Sequence, residues 1–263
     1  MKQEILLGDC LELMKDIPDG SIDMILCDLP YGTTACKWDN IIPFEPLWEQ
    51  YERVIKDNGA IVLTASQPFT STLIMSNIKL FRYTWVWEKS KATGFLNAKK
   101  RPLVAHEDIT VFSKKPTTYN PQFSTKEPYN KGIRKEQTDD DVYGKFERVE
   151  VKSDGKRYPR SVVYFKTAES EGAVLHKTQK PLKLFEYLIK TYTNEGELVL
   201  DNTAGSGTTA IACLKTNRQF IVMEKEQKYY DIILKRVADF NKNFEPQTLF
   251  GNERSSSMHR VIY

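Results

Sequence analysis

Short apolar runs alternate along this chain with stretches whose apolar positions recur every three or four residues. Residues 22–27 are apolar apart from Asp23, and residues 60–65 are apolar apart from Thr64. Such runs, bounded by turn formers, predict buried strands. The same reasoning predicts strands at 4–7, 81–88, 108–112, 161–165, 197–200 and 220–223. Helical spacing predicts helices at 11–17, 46–56, 69–75, 182–191 and 210–215. In the 46–56 helix Leu47, Tyr51 and Val54 share a face, and Asp57-Asn58-Gly59 supplies a stop. A last amphipathic helix carries Tyr229, Ile233, Val237 and Phe240 on one side. Strands and helices in alternation imply an α/β fold with a doubly wound, mostly parallel sheet.

The rhythm breaks between residues 114 and 175, which are polar and carry a single clear strand at 161–165. A structureless loop of that length is improbable inside a compact domain, so it reads as an inserted subdomain. The expected organisation is therefore one core in two halves, 1–113 and 176–250. The 114–175 insert lies between them and a patternless tail at 251–263 follows.

Composition is that of a soluble globular protein, with 40% hydrophobic and 28% charged residues. No apolar run is long enough to span a bilayer, and the start does not read as a signal peptide. The four cysteines form no CxxC pair, so neither a metal site nor a disulfide framework is expected. These features point to the cytoplasm. The net charge is only +3, but it is unevenly spread. Residues 89–101 hold Lys89, Lys91, Lys99, Lys100 and Arg101 with no acid, and residues 114–166 hold 13 basic against 8 acidic side chains. The remainder is net acidic. Such asymmetry suits a phosphate-backbone binder.

Two stretches carry candidate chemistry. Asp28-Leu29-Pro30-Tyr31 follows the 22–27 strand and so lies at a carboxyl edge, where open α/β sheets place ligands. Pro30 stiffens the turn, which holds a carboxylate beside an aromatic ring. An acceptor beside a stacking face suits a flat substrate with an exocyclic amine, such as a nucleobase. The second stretch is Asp201-Asn202-Thr203-Ala204-Gly205-Ser206-Gly207-Thr208-Thr209, between a strand and a helix. Its glycines allow close ligand approach, and helix N-terminal amides can meet an anion. Glu224 ends the next strand, 17 positions after Gly207, about where an acid binds ribose hydroxyls. Ala210 stands where a dinucleotide cradle places its third glycine, which disfavours that ligand, and no Gly-Lys-Ser/Thr phosphate loop is present.

Together these residues resemble the S-adenosylmethionine-dependent amino-methyltransferases of DNA. Asp28-Leu29-Pro30-Tyr31 is similar to the family's Asp-Pro-Pro-Tyr tetrapeptide. The 201–209 loop is similar to its Asp-Pro-Phe-x-Gly-Ser-Gly-Thr-Thr cofactor loop. His176-Lys177-Thr178-Gln179-Lys180-Pro181 resembles its His-Pro-Thr-Gln-Lys-Pro segment, and Gly8-Asp9-Cys10 its opening. The catalytic motif precedes the cofactor loop, the permuted order of the beta group. Leu29, Lys177, Asn202 and Thr203 depart from the pattern, and loss of the loop Phe is expected to slacken packing near the cofactor's methionine end.

The resemblance implies a Rossmann-like methyltransferase sheet with an inserted target-recognition subdomain, and S-adenosyl-L-methionine as cofactor. It implies Asp28, Pro30 and Tyr31 as catalytic residues. Cofactor contacts are implied for Asp9, Cys10, Thr178, Lys180, Asp201, Ala204, Gly205, Ser206, Gly207, Thr208 and Glu224. Asp9 would face the adenine, Glu224 the ribose, and Thr178 and Lys180 the methionine carboxylate. The substrate implied is double-stranded DNA with a flipped base. Aspartate rather than serine at position 28 favours adenine N6 over cytosine N4, and absence of a Pro-Cys dipeptide disfavours cytosine carbon-5.

Expected DNA contacts are Lys89, Lys99, Lys100, Arg101, Arg134, Arg157 and Arg160, with the insert reading the target. A homodimer and a cognate restriction endonuclease are compatible with this reading, and no membrane partner is expected. The alternatives are an N4-cytosine enzyme, a catalytically silent DNA-binding regulator, a protein-glutamine methyltransferase and a nicotinamide-dependent oxidoreductase. The glutamine enzymes carry Asn-Pro-Pro-Tyr after the cofactor loop, and an oxidoreductase leaves the Asp28 turn unexplained.

Overall fold

Apolar segments with no polar face must be covered on both sides, and the chain meets this with a sheet between two helical layers. The structure, a computed structural model, describes residues 2–33, 36, 39–133, 150–172, 174–176 and 178–244. The first part runs β1 (Gln3–Leu7), α1 (Cys10–Leu13), β2 (Ile22–Asp28), α2 (Phe44–Val54), β3 (Ile55–Ala65), α3 (Phe69–Ser76), β4 (Phe81–Thr93) and β5 (Val104–Phe112). Four short strands follow, β6 (Ser124–Thr125), β7 (Tyr129–Ile133), β8 (Glu150–Ser153) and β9 (Lys156–Arg157). The last part runs β10 (Val162–Phe165), α4 (Leu182–Tyr192), β11 (Leu198–Asp201), α5 (Thr208–Lys215), β12 (Gln219–Glu224) and α6 (Gln227–Phe244).

Among the described residues, eight strands form one sheet in the order β1-β12-β11-β2-β3-β5-β4-β10, and only β5 pairs antiparallel to its neighbours. The α/β, mostly parallel expectation therefore holds. Alternate residues of β2 face opposite layers. Met24 and Leu26 pack with Leu184, Leu188, Ala210 and Ile233 of α4, α5 and α6. Ile25 and Cys27 pack with Leu47, Trp48, Tyr51 and Leu73 of α2 and α3. From β2 the chain crosses to β3 on one side, and from β11 it crosses to β12 on the other. The β2–β11 seam is thus the switch point, where open sheets leave a crevice beyond their carboxyl ends.

Three expectations are corrected. The helix expected at 46–56 ends at Val54, and Asp57-Asn58-Gly59 lies within β3 rather than capping a helix. Ile55, buried, already pairs with Ile22, and an irregularity before the Met24–Ala60 pair absorbs the extra residues. β4 and β5 extend well beyond the anticipated 81–88 and 108–112, forming a hairpin that overhangs the ligand edge. The strand expected inside the insert, now β10, joins the main sheet parallel to β4. What stands apart from the sheet among the described residues is two small ladders, β6 with β9 and β7 with β8.

Candidate active site

The carboxyl ends of β1, β2, β11 and β12 open onto one cavity of about 870 Å³, within the size range of ligand sites. The Asp28–Tyr31 turn and the Gly205 loop line it together, although 174 positions separate Tyr31 from Gly205. Their contact is direct, since the Thr203 hydroxyl donates to the Asp28 carbonyl at 3.2 Å.

Asp28 ends β2 opposite Thr64 of β3. Three donors converge on its Oδ1: the Thr64 hydroxyl at 2.6 Å, the Tyr31 hydroxyl at 2.8 Å and the Lys180 ammonium at 2.7 Å. Oδ2 accepts no hydrogen bond among the described residues. Tyr31 stacks on Phe69 with ring centroids 5.0 Å apart, so one ring face is already covered. Burial, then the neighbouring Asp28 carboxylate, raises the Tyr31 hydroxyl well above its ordinary range, which keeps it a donor.

Lys180 is 7% exposed and forms ion pairs with two carboxylates. Besides Asp28, its Nζ lies 3.4 Å from Glu107 Oε2. Glu107 Oε1 in turn lies 3.3 Å from Nζ of Lys89 on β4. Charge therefore alternates across the sheet edge, from Asp28 to Lys180 to Glu107 to Lys89. Burial pushes the Lys180 ammonium down, but Asp28, Tyr31 and Glu107 outweigh it and hold the group well above its ordinary value. Lys180 was expected to hold a cofactor carboxylate and Lys89 a DNA phosphate. In the structure both ammonium groups are buried in ion pairs, because a buried ammonium without a counter-charge is far more costly than a paired one.

The second half of the site is a tight turn. Gly205 and Gly207 have φ of +54° and +80°, and a Cβ on Gly207 would lie 3.0 Å from Ile233. Glu224 ties the turn down, accepting the Gly205 amide at 2.8 Å through Oε2 and the Glu226 amide at 2.9 Å through Oε1. Asp201 is buried beneath it, bonded by the Thr203 amide and the Thr209 hydroxyl, and burial raises its carboxyl to about 7. The loop Phe whose loss was expected to slacken packing is replaced by Thr203, whose hydroxyl donates to the Asp28 carbonyl, and Asn202 stands beside it. The Asn202 Oδ1 receives the Tyr51 hydroxyl at 2.6 Å and the Cys27 thiol at 2.9 Å, joining the loop to α2 and β2.

The other expected cofactor residues also reach the cavity. Asp9 caps α1 through the Leu11 amide at 2.9 Å, and buried Cys10 follows it. Ala204, Ser206 and Thr208 line the wall, and the Thr178 hydroxyl lies 3.1 Å from His176 Nδ1. His176 packs edge-on against Tyr229 at 4.3 Å, and burial lowers its imidazole, favouring the neutral form. Thr64, Glu107, His176 and Tyr229 were not anticipated. Thr64 left a trace as the one polar residue near the end of an apolar run, and His176 as the first residue of the 176–181 segment.

The expected DNA contacts scatter. Lys99, Lys100 and Arg101 are exposed near the cavity mouth, which Arg101 lines, and Arg160 is exposed beyond β9. Arg157 is spent on local structure, bonding the Ser153 hydroxyl and the Glu127 carbonyl and lying 4.7 Å over the Tyr129 ring. Arg134 lies outside the described residues. No metal-binding cluster occurs among the described residues, and no helix there is long and apolar enough to cross a membrane.

Comparison with known proteins agrees with this geometry. A family model described as DNA methylase, of the N6 and N4 type, matches residues 22–235. The chain is 25% identical over 255 residues to the Type II methyltransferase M.HpaI of Haemophilus parainfluenzae, covering 92% of this chain and 76% of that protein. It is 29% identical over 272 residues to M.BglII of Bacillus subtilis, covering 92% and 71%. Among solved structures, the M1.HpyAVI–SAM complex superposes with a TM-score of 0.61 at 24% identity, covering 89% of this chain and 98% of that one. The cytosine-N4-specific PvuII DNA methyltransferase superposes with 0.65 at 16%, covering 95% and 89%, and both structures show a likeness of fold alone. The match over 22–235 spans both the Asp28 turn and the Glu224 loop, and on that ground the chain belongs to the S-adenosylmethionine-dependent DNA amino-methyltransferase family.

Proposed function

We propose that the chain transfers a methyl group from S-adenosylmethionine to the exocyclic N6 of adenine in duplex DNA, with Asp28, Pro30 and Tyr31 as the catalytic residues. One observation supports this above the rest: the Asp28 turn and the Gly205–Glu224 loop share a cavity, so an amine held by the first can face a donor held by the second.

The residues present fit the cofactor. Positive φ at Gly205 and Gly207 leaves a cradle without side chains, and the Glu224 oxygens retain lone pairs for ribose hydroxyls. Asp9 and Cys10 stand at the adenine end. Ala204, Ser206 and Thr208 with Thr178 surround the methionine end, and Asp201 fixes the loop from below. When bound, the cofactor supplies an electrophilic methyl on a sulfonium. The protein's own work is to present the nucleophile. A base within a duplex is out of reach, so the target flips out. Tyr31 stacks on it. Asp28 Oδ1 is filled by three donors, which leaves Oδ2 and the Pro30 carbonyl to accept from the amine. Those bonds aim the nitrogen lone pair, transfer is direct, with no covalent enzyme intermediate, and the proton the amine gives up leaves along its hydrogen bond to Asp28 Oδ2. Rate comes from positioning and fixed charge.

Lys99, Lys100, Arg101 and Arg160 contact phosphates, and the 114–175 segment reads the target sequence. The proposal extends to a cytoplasmic enzyme of a bacterium or phage-infected cell, paired with a cognate endonuclease, and to a homodimer. Labelled S-adenosylmethionine and DNA, followed by digestion to nucleosides, test the reaction. N6-methyladenine is expected. N4-methylcytosine would transfer the assignment to that base, and unlabelled DNA would overturn it. Asp28→Ala should abolish transfer while cofactor still binds, and near-normal turnover would remove Asp28 from catalysis.

A further inference from the structure

The β4–β5 connection departs from the economy of the rest of the fold. Gly94, with φ +89°, turns the chain into one 3-10 turn, Phe95–Asn97. There Phe95 is 63% exposed and Leu96 is 102% exposed. Single exposed apolar residues are ordinary, but two adjacent large ones on an ordered turn are less so. The turn is ordered by its own backbone: the Asn97 amide donates to Gly94 at 2.9 Å, and the Lys100 and Arg101 amides donate to Asn97 at 2.8 and 3.0 Å. The apolar pair is therefore held out in water by local hydrogen bonds rather than awaiting burial in the core.

Two further facts fix what could cover it. The turn stands on the rim of the cavity, since Thr93, Arg101 and Val104 at its base line the same space as Asp28 and Tyr31. Its charge has one sign: Lys99, Lys100 and Arg101 are exposed, and no acidic residue occurs between Glu88 and Glu107. A rigid apolar tip flanked by cations, beside a pocket for a flat ring, is complementary to a nucleic-acid duplex. Phosphates meet the cations, and the apolar tip meets the base stack.

We propose that Phe95 and Leu96 form a wedge that enters duplex DNA where the target base has left the stack, while Lys99, Lys100 and Arg101 hold the adjoining phosphates. This rests on the DNA-methylating reading above. Flipping costs the stacking and pairing of one base, and an apolar side chain filling the gap offsets part of that cost and delays return. The wedge matters only while the base is paired. A target that is already unpaired needs no such help.

The test uses the full chain and a duplex bearing the methylation site, identified by sequencing DNA from cells that express the protein. Methyl transfer is compared on the matched duplex and on one with an abasic position opposite the target. Phe95→Ala combined with Leu96→Ala should lower transfer on the matched duplex by about tenfold or more, and stay within about threefold of the unaltered enzyme on the abasic one. Lys99→Ala combined with Lys100→Ala should lower both alike, through weaker binding. An apolar double variant that loses equally on both duplexes, or on neither, overturns the wedge. So does a dimer in sedimentation that this variant dissociates, which would make the tip a contact between two copies. If the unaltered protein neither binds nor methylates duplex DNA, the DNA reading fails and the wedge fails with it.

Discussion

Lys180→Met separates two roles for one lysine. The family motif gives Lys180 to the cofactor's carboxylate, whereas the structure gives it to Asp28 at 2.7 Å and Glu107 at 3.4 Å. Unit charges about 4 Å apart attract by roughly 4 kcal/mol at an effective dielectric of about 20. Two such attractions are set against the desolvation of a nearly buried ammonium. Methionine keeps most of the volume but leaves Asp28 and Glu107 facing each other with no cation between them, Lys89 remaining on the far oxygen of Glu107. Breaking a buried pair by removing one partner typically costs about 3–5 kcal/mol, read here as a lower midpoint in urea. Asp28 Oδ1 would keep only Thr64 and Tyr31, and a small displacement of the acceptor can cost about 100-fold in turnover. Cofactor affinity, measured by calorimetry, should change by less than about threefold. Glu107→Gln in the same background should restore part of the lost stability, with a coupling of about 1–3 kcal/mol. Affinity lowered tenfold with saturated turnover intact, or strictly additive losses, would refute this assignment and return Lys180 to the cofactor.

Three other outcomes follow from the geometry. Glu224→Gln removes a charged acceptor worth roughly 1.5–3 kcal/mol, so cofactor binding should weaken about 10- to 100-fold while saturated turnover changes less; unaltered affinity would reassign the residue. Asp201 titrates at about 7 in the fold, above its unfolded value near 3.9, because burial penalises the carboxylate. Its contribution is fully present below about pH 4 and is lost as pH rises through about 7, at up to roughly 1.4 kcal/mol per unit. Asp201→Asn should erase that dependence in denaturant melts at pH 5 and 8, and a parallel offset at both would show Asp201 is not its source. Lys99→Ala with Lys100→Ala should reduce the salt slope of DNA binding by about 2, at roughly 0.9 per phosphate contact, and an unchanged slope would take both off the backbone.

The parts of this protein legible in its sequence are those that depend on local order. Strand β2, α4, α6 and the turns after β2 and β11 each announce themselves through periodicity, proline or glycine. What sequence could not supply is which charges meet. Lys89 lies in a basic run and reads as a surface cation, yet β4 pairs with β5 and brings it to Glu107. Lys180 reads as a ligand for the cofactor because its neighbours match a motif, but only the sheet order shows that Asp28 and Glu107 flank it. β10 looked like part of an insert because nothing local marks its pairing with β4. The end of α2 was misplaced for the opposite reason. Asp57-Asn58-Gly59 is a sound stop signal, and it is overridden by the burial of Ile55 against Ile22.

The sheet order also explains how chemistry split between distant segments can work as one site. Adjacency of β2 and β11 comes from lateral pairing, Val199 with Met24 and Leu200 with Ile25, and is indifferent to which strand is made first. Any chain that keeps those strands adjacent, with crossovers departing on opposite sides, places the ends of both on one crevice. A motif order that runs catalytic turn first and cofactor loop second therefore changes the connections and leaves the cavity intact. The seam must then be stiff, because the distance between amine and donor is set across it. Here it is cross-braced behind the cavity by Asn202 with Tyr51 and Cys27, and at its mouth by Thr203 with the Asp28 carbonyl. Asn202 and Thr203 are the two positions where the loop departs from its family's usual residues. Their side chains join the loop to α2 and β2 by hydrogen bonds that the family's usual proline and phenylalanine, with no polar side-chain group, cannot make.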